Sequence, residues 1–351
     1  MSARNREQMA SRLEQAFANP RQKFCYYSGN GGETRSARLN AMPLWDWTPY
    51  RTHGGGGSTC IAPLAFGCQP VKISEDKEWI KPLITDPAQV HALAVPDPRK
   101  GRTGEVLRKI TELRHSMPQG DRVRNPDMQS PLGIVELMWD ESFYTALIEY
   151  PEAIHELLDK VTSFQIEYIR AIQQAAGDRY NPCGFPLIWC SGSGTMLADD
   201  TMSLISPAMH AEFSIPYVNR IAEEVGPLFY HSCTWRAPYF GNIRQIRNVR
   251  AFNWNPGNSD DPATLIREFS GSAVLALHLT EGMYKDHDVV GLGHKFADDA
   301  EFFEYCLDAM TEESSLYWWF LGSILQNGPV IGKIYDLLHE RGYTPQAAGM
   351  G

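Results

Sequence analysis

The sequence predicts an α/β protein, namely a single (β/α)8 TIM-type barrel with a helical extension at its N-terminus. Its 351 residues are an ordinary length for one such barrel. Apolar strand-like runs alternate with helical segments from about residue 100 onward, which is typical of parallel βαβ units. About eight strand candidates occur without a break in composition, which favours a closed barrel over an open sheet. We therefore expect an extension over residues 1–40 and a barrel over residues 41–351.

The N-terminal part of the chain predicts one helix and one strand. Met9, Leu13 and Phe17 recur at a spacing of four residues, which indicates a helix over residues 4–18. A polar stretch with glycines follows over residues 26–40, and an apolar run predicts the first strand over residues 42–47. Four consecutive glycines predict a loop over residues 53–57, which is a candidate lid.

The rest of the chain alternates between the two kinds of element. The helical pattern covers residues 104–116, 142–149, 151–176, a segment that begins near Ser206, and residues 300–311 and 330–341. The strand candidates are residues 133–138, 185–190, 227–233, 249–255, 272–279 and 315–321. Nucleotide-binding variants of α/β proteins lose support because the sequence has neither a GxGxxG motif after the first strand nor a P-loop lysine motif.

Charge and cysteine content narrow the function classes. The chain has 32 Lys and Arg against 42 Asp and Glu, a formal net charge of −10, which argues against nucleic acid as a partner. Seven scattered cysteines predict reduced thiols rather than a disulfide framework. The sequence contains no apolar stretch long enough for a membrane span, and residues 1–17 lack the apolar region of a signal peptide. We therefore expect a soluble cytoplasmic protein that does not contact a membrane.

The sharpest local pattern is Tyr230-His-Ser-Cys233 at the end of an apolar run. Positions i and i+2 of a strand share a face, so His231 and Cys233 present an imidazole and a thiol side by side. The carboxyl end of a barrel strand is also where active sites of this fold are built. Imidazole and thiolate are typical zinc ligands, and a catalytic zinc needs three protein ligands and one open position. A buried cysteine beside a hydrogen-bonded histidine is the structural alternative.

A third ligand has to come from another strand end. His278 and Glu281 end one later strand candidate and Cys190 ends an earlier one, whereas Cys306 lies within a helical pattern and fits core packing. His278 and Glu281 are three residues apart, so a regular strand would point only one of them inward. We favour Glu281 as the third metal ligand.

Further polar and aromatic side chains fall at the same predicted rim. Asp199 and Asp200 are the candidate catalytic residues, because paired carboxylates can anchor a substrate or move a proton. A solvated pair of loop carboxylates is the alternative. Aromatic and cationic groups at the rim could line a pocket for a flat ligand, and the candidate substrate-binding residues are Trp45, Trp235, Arg236, Tyr239, His278 and Trp319.

Several segments together resemble the uroporphyrinogen decarboxylase-like superfamily. They are residues 130–138, 149–158, 198–209 and 213–217, the Tyr230-His-Ser-Cys233 segment, and the closing strand and helix. The resemblance covers about residues 125–341 and implies a (β/α)8 barrel. It is closest to the branch of zinc-dependent methyltransferases that work with corrinoid proteins.

The superfamily implies two kinds of activity. Its decarboxylases bind an acidic tetrapyrrole without a cofactor, using an N-terminal Arg-Gln-Ala-Gly-Arg segment, and the nearest string here, residues 20–24, lacks that pattern. Its methyltransferases hold zinc with the strand-end His-x-Cys, which matches His231 and Cys233, and with a later cysteine, where this chain has Ser323. The Asp-x-His-x-x-Gly corrinoid-binding motif is absent from the sequence, so a corrinoid would be carried by a separate partner protein.

Three hypotheses follow from the sequence. The first is a zinc-dependent methyltransferase that exchanges a methyl group between a small substrate and a corrinoid protein. A methoxylated aromatic compound is the candidate substrate, in which case the enzyme would be a demethylase. The second is a metal-free decarboxylase that acts on a carboxylated substrate with Asp199 or Asp200 and Arg236. The third is a barrel that binds a ligand without catalysis. The direction of methyl transfer and the oligomeric state stay open.

Overall fold

The computed structural model describes residues 3–29, 52–54, 59–74, 78–184, 190, 192–285, 295–320, 324 and 327–343. The α-helices that it describes in full are α1 (Ala3–Ala18), α2 (Ile61–Phe66), α3 (Ala88–Ala92), α4 (Gly101–Ser116), α5 (Pro131–Met138), α6 (Phe143–Glu149), α7 (Pro151–Ala176), α8 (Pro207–Phe213), α9 (Ile215–Val225), α10 (Phe240–Ile243), α11 (Pro262–Phe269), α12 (Asp299–Asp308) and α13 (Gly328–Glu340). The strands are β1 (Phe24–Gly29), β2 (Thr52–Gly54), β3 (Gln69–Lys72), β4 (Glu78–Lys81), β5 (Arg122–Arg124), β6 (Tyr180–Asn181), β7 (Thr195–Ala198), β8 (Leu228–His231), β9 (Val249–Asn253), β10 (Val274–Leu279) and β11 (Ser315–Phe320).

The strands form a parallel (β/α)8 barrel. Six of them pair in the order β1-β11-β10-β9-β8-β7, and β2, β5 and β6 form a second parallel sheet. A parallel bridge between Gln129 and Ala198 joins the segment after β5 to β7. The segment that begins with β5 thus pairs first with β6 and then with β7, so the pairings run in chain order from β2 through β5 and β7 to β11, which in turn pairs with β1, as in this fold. The predicted fold class is confirmed.

Helix α1 closes the amino-terminal end of the barrel. Its buried side chains Ala10, Leu13 and Ala16 share one apolar cluster with inward-facing strand residues. The ring centroids of Phe17 and Phe229 lie 5.6 Å apart, edge to face. This packing explains the apolar spacing that predicted the helix. Strand β1 follows directly and pairs with β11, so the sheet includes residues N-terminal to the expected boundary at residue 40, and that boundary stays a prediction.

The predicted strand over residues 133–138 is wrong, because these residues belong to α5. Ser130 accepts a hydrogen bond from the Gly133 N–H at 3.1 Å, and Pro131 stands in the first turn, so the helix has both of its usual start signals. An apolar run of eight residues buried nearly all round does not reveal its period. The physical start signals outweigh the strand-like composition here.

Other differences concern short strands. Composition did not predict β1, β5, β6, β7 or the antiparallel hairpin of β3 and β4, each of which has six residues or fewer. The predicted glycine loop begins in a strand, because residues 53–54 belong to β2. The predicted strand over residues 42–47, most of the one over residues 185–190 and the glycines at 55–57 lie outside the described residues. Among the described helices, none is both long and apolar enough to cross a membrane.

The closure of the barrel by α1 predicts a specific loss of stability. Leu13→Ala removes a side chain that is fully buried in the barrel interior, and we expect the free energy of unfolding to fall by about 2–5 kcal/mol. Arg12→Ala, on the exposed side of the same helix, is the control and should change it by no more than about 0.5 kcal/mol. Urea unfolding measures both. Equal effects of the two changes would show that α1 does not pack into the barrel.

Candidate metal centre

Side chains alternate between the inside and the outside of the barrel along each strand. The interior cluster contains Met196, Ala198, Phe229, Ala251, Val274, Ala276, Tyr317 and Trp319. The neighbouring residues Leu197, Leu228, Tyr230, Phe252, Leu275, Leu277 and Trp318 belong to the larger cluster beneath the helices. Because the side-chain period of a strand is two, His231, Asn253 and His278 continue the inward series at the carboxyl ends of β8, β9 and β10.

Hydrogen bonds fix the His231 ring. Its Nδ1 lies 2.5 Å from Oδ1 of Asn253. The Asn253 amide nitrogen donates to the backbone oxygen of Ala276, so Oδ1 is the atom that faces the ring and Nδ1 is the donor. The lone pair of the imidazole therefore lies on Nε2, which is 3.4 Å from Sγ of Cys233. A histidine ligand is usually oriented by a second hydrogen bond of this kind.

Asp200 completes a group of three potential ligands. Its Oδ1 lies 3.6 Å from Nε2 of His231 and accepts a hydrogen bond from the backbone N–H of Cys233 at 2.7 Å. The carboxylate oxygen, Nε2 and Sγ all lie within 4.8 Å of one another. His231 is buried, whereas Cys233 is exposed and the Asp200 side chain is 40% exposed. The group is therefore enclosed by protein on the side of His231 and open to solvent on the side of Cys233 and Asp200.

The electrostatic surroundings of the group are negative. Partial burial of the sulfur, with added contributions from Asp200 and Asp127, raises the pKa of Cys233 to about 12. Asp127 has a raised pKa because it is largely buried, an effect that His231 partly offsets and Asp200 reinforces. Two carboxylates beside a thiol favour a cation in their midst. Burial and the neighbouring His231 lower the pKa of His278 to about 4, so this second imidazole is neutral at pH 7.

The donor set fits a zinc ion. Nitrogen from imidazole, sulfur from thiolate and oxygen from carboxylate are the three ligand types that zinc takes in proteins. Nε2 of His231 points toward the other two ligand atoms, and the exposed side leaves room for a further ligand. Three protein ligands with an open position are the usual arrangement of catalytic zinc.

Asp199 and Asp200 directly follow β7, and their side chains point to opposite sides of the sheet. The fully buried carboxylate of Asp199 accepts hydrogen bonds from Ser130 at 2.7 Å, Ser214 at 2.5 Å and Tyr230 at 2.9 Å. It also lies 3.1 Å from Nε2 of His210. Burial alone would raise the pKa of Asp199, but His210 and the hydroxyl donors outweigh it and hold the pKa below its ordinary value. The predicted catalytic pair is thus divided: Asp200 faces the barrel mouth and Asp199 ties β7 to the helices.

Three of the predicted substrate-binding residues are already engaged elsewhere. Trp235 is fully buried in the core, with its ring centroid 5.0 Å from those of Trp254 and Phe269. The Arg236 guanidinium donates to Oδ1 of Asp260 at 3.0 Å and to the backbone of Asn258. The buried Tyr239 donates to the backbone oxygen of Ile205. These contacts explain the three side chains structurally and leave their substrate-binding role a prediction.

The remaining predicted residues lie nearer the centre or outside the description. His278 and Trp319 are register partners on β10 and β11, and both point into the barrel. Glu281 is exposed beyond the end of β10, and its Oε1 accepts a hydrogen bond from Asn327 at 3.3 Å. It is not among the three clustered ligands, so its role as a ligand stays a prediction. Trp45 lies outside the described residues.

Two residues near the site were missed in the sequence. Asn253 ends β9 two residues after the inward Ala251, and the same alternation that predicted His231 would have placed it beside that ring. Asp127 follows β5, a strand of three residues that has no distinct pattern of its own. A short strand gives no signal from which its rim residues can be recognised.

Comparisons with known proteins agree with this architecture. The family model described as Uroporphyrinogen decarboxylase (URO-D) matches residues 58–184. A uroporphyrinogen decarboxylase from Xanthomonas axonopodis pv. citri (strain 306) is 28% identical over 179 residues, 46% of this chain and 43% of that protein. The protein of the same description from Xanthomonas oryzae pv. oryzae (strain PXO99A) has the same identity and coverage. The alignments thus span less than half of the length of these curated relatives.

A solved structure extends the comparison to nearly the whole chain. A methyltransferase from Methanosarcina mazei superposes with a TM-score of 0.61 at 13% identity, covering 94% of this chain and 99% of that chain. At this identity the likeness concerns the fold. The chain is thus similar over residues 58–184 to the uroporphyrinogen decarboxylase family, and it shares its fold with that methyltransferase.

These similarities confirm the resemblance seen in the sequence. The family match begins at residue 58, well before the segments that carried the resemblance, and ends at residue 184. It therefore covers β3 to β6, whereas His231 and Cys233 lie beyond it. Both decarboxylases and a methyltransferase are among the similar proteins.

The separation of Asp199 from Asp200 predicts that the same substitution lowers the free energy of unfolding by very different amounts at the two positions. Asp199→Asn removes a buried charge that holds four polar partners, and we expect the free energy of unfolding at pH 7 to fall by about 3 kcal/mol. Asp200→Asn, in metal-free protein, should cost no more than about 0.5 kcal/mol because its side chain is partly exposed. Thermal or urea unfolding of both variants checks this. Similar losses in the two variants would contradict the assignment.

Proposed function

We propose that the protein is a zinc-dependent methyltransferase that exchanges a methyl group between a small substrate and a separate corrinoid protein. The observation that carries this proposal is the group formed by Asp200, His231 and Cys233, whose ligand atoms lie within 4.8 Å of one another at the mouth of the barrel. The superfamily and the similarity in fold to a methyltransferase support it. In this proposal Asp200 is the third ligand and takes the place of a second cysteine.

The residues of the chain would divide the work as follows. His231, Cys233 and Asp200 would hold the metal, and Asn253 keeps the imidazole in the tautomer that carries its lone pair on Nε2. Zinc, when bound, would supply a Lewis acid that polarises the leaving oxygen of a methoxylated substrate. A carboxylate in place of a second thiolate makes the donor set harder, which suits an oxygen ligand better than a thiolate. A corrinoid on the partner protein would supply the nucleophile, a reduced cobalt whose electron pair accepts the methyl group, while the oxygen would keep the electron pair of the broken methyl–oxygen bond and take a proton from solvent.

The metal-free decarboxylase is supported less well. It needs Asp199 or Asp200 together with Arg236 near a carboxylated substrate. The four contacts of the Asp199 carboxylate and the ion pair of Arg236 with Asp260 occupy two of these three groups. Asp200 alone would remain for proton transfer. The similarity to uroporphyrinogen decarboxylases is the observation in its favour.

Zinc content tests the proposal directly. Protein purified without added metal is expected to contain about one zinc per chain by elemental analysis, since three protein ligands suffice for a catalytic site. His231→Ala and Cys233→Ala should lose the metal while the fold, followed by circular dichroism, is retained. Folded wild-type protein that takes up no zinc, even from added salt, would contradict the proposal.

Two further variants identify the third ligand. Asp200→Asn should lower the zinc affinity at least about tenfold, because a charged ligand is lost. Glu281→Gln is the matched control and should leave the zinc affinity unchanged, since Glu281 lies outside the cluster. Competition with a chromogenic chelator measures both affinities. A loss in Glu281→Gln with no loss in Asp200→Asn would restore Glu281 as the ligand.

The hydrogen bond from His231 to Asn253 gives a separate prediction. Asn253→Ala removes the acceptor that fixes the imidazole but keeps all three ligands, and zinc affinity should fall about 10–100-fold. The chelator competition described above measures this change. An unchanged affinity would show that the orientation of the ring does not depend on Asn253.

A further inference from the structure

A cleft of about 510 Å³ adjoins the candidate metal centre. Asp200 belongs to both, because it lines the cleft and is one of the three clustered ligands. Its other walls come from β4, from α5 and from the short helix over residues Asp200–Leu204. This volume lies within the range of small-molecule sites.

The walls of the cleft are largely apolar and aromatic. Trp79 of β4 is 40% exposed and Leu204 is 62% exposed, and both line it. Ile80, Leu137 and Trp139 supply further apolar surface. Two large, exposed apolar side chains in one concave surface are typical of a ligand site rather than of scattered surface residues.

The charges of the cleft are negative, and both carboxylates already have partners. Oε2 of Glu136 accepts a hydrogen bond from Thr201 at 2.7 Å, and Oε1 accepts one from Tyr144 at 2.5 Å. Asp200 accepts the backbone N–H of Cys233 and faces the metal centre. Within the described part of the chain, the lining residues include neither Lys nor Arg. An anionic ligand would meet repulsion from Glu136, which no Lys or Arg of the described lining compensates, and a cationic ligand would find both oxygens of Glu136 already hydrogen-bonded.

We propose that this cleft is the substrate site and that it selects a flat, largely apolar, uncharged molecule over a carboxylated one. The inference rests on the proposed function, since it names the substrate class of the same centre. The shared residue places one end of a bound molecule beside Asp200, where the leaving oxygen has to lie. The apolar walls formed by Trp79 and Leu204 would hold its ring.

Three probes with the same ring test the selection by charge. They are 4-hydroxy-3-methoxybenzyl alcohol, 4-hydroxy-3-methoxybenzoate and 4-hydroxy-3-methoxybenzylamine, which differ only in an uncharged, anionic or cationic substituent. Calorimetric titration of the wild-type protein is expected to give the lowest Kd for the alcohol, a Kd at least about tenfold higher for the benzoate and no gain for the amine. The tightest binding by the benzoate or the amine would overturn the proposal.

Variants locate the binding and separate its causes. Trp79→Ala should raise the Kd of the alcohol at least about tenfold, whereas Trp79→Phe should largely retain binding because it keeps an aromatic face. Tyr150→Ala, an exposed aromatic residue that is not in the cleft lining, is the control and should bind normally. Glu136→Gln keeps an acceptor for Thr201 and Tyr144 but removes the charge, so the difference between alcohol and benzoate should shrink. An unchanged Kd in Trp79→Ala, or an unchanged difference in Glu136→Gln, would overturn the proposal.

The titrations are run with zinc-loaded protein and repeated after chelation, without a corrinoid protein. If zinc-loaded protein binds none of the probes, the cleft is not the substrate site, but the proposed function is not contradicted. The expected binding pattern in a protein that takes up no zinc would instead contradict the proposed function and leave the ligand site standing.

Discussion

The two-residue alternation of the barrel strands is the constraint on which the candidate site depends. Because inward positions recur at every second residue, β7 and β8 direct Asp200 and His231 toward the same space. The same rule sends Asp199 outward to the helices. A shift of one residue in β7 would turn Asp199 toward the barrel mouth and Asp200 toward the helices. Register and chemistry are therefore set together at the barrel mouth.

The two neighbouring aspartates show how one residue type serves two purposes. Asp199 is fully buried and surrounded by donors, which is the condition under which a carboxylate stabilises a fold. Asp200 has a partly exposed side chain beside a thiol and an imidazole, and in such surroundings a carboxylate can serve as a ligand to a cation. Their separation also distinguishes the two enzymatic hypotheses, because the decarboxylase needs the pair to act near Arg236 and the metal site needs only Asp200.

Much of the fold was predictable because long elements carry a clear period. The helices α4 and α7, and the strands β8 to β11, agree with their apolar patterns to within a few residues. The short strands could not be predicted, because four residues such as those of β7 hold too few positions to show alternation. This affected the prediction of the site directly. Because β7 was not recognised, the sequence could not show that Asp199 and Asp200 point to opposite sides of the sheet. His231 and Cys233, by contrast, lie at the end of a recognisable strand, and the structure brings them together.

We propose that Asp200, His231 and Cys233 hold one metal ion. X-ray absorption at the zinc edge of the loaded protein tests it most directly, because scattering distinguishes sulfur from lighter ligands. We expect one sulfur at about 2.3 Å from the zinc and nitrogen or oxygen ligands at about 2.0–2.2 Å from it. We also expect the sulfur shell to disappear in Cys233→Ser. In the wild-type protein, a zinc ion bound through two sulfurs or through none would contradict this set of three ligands.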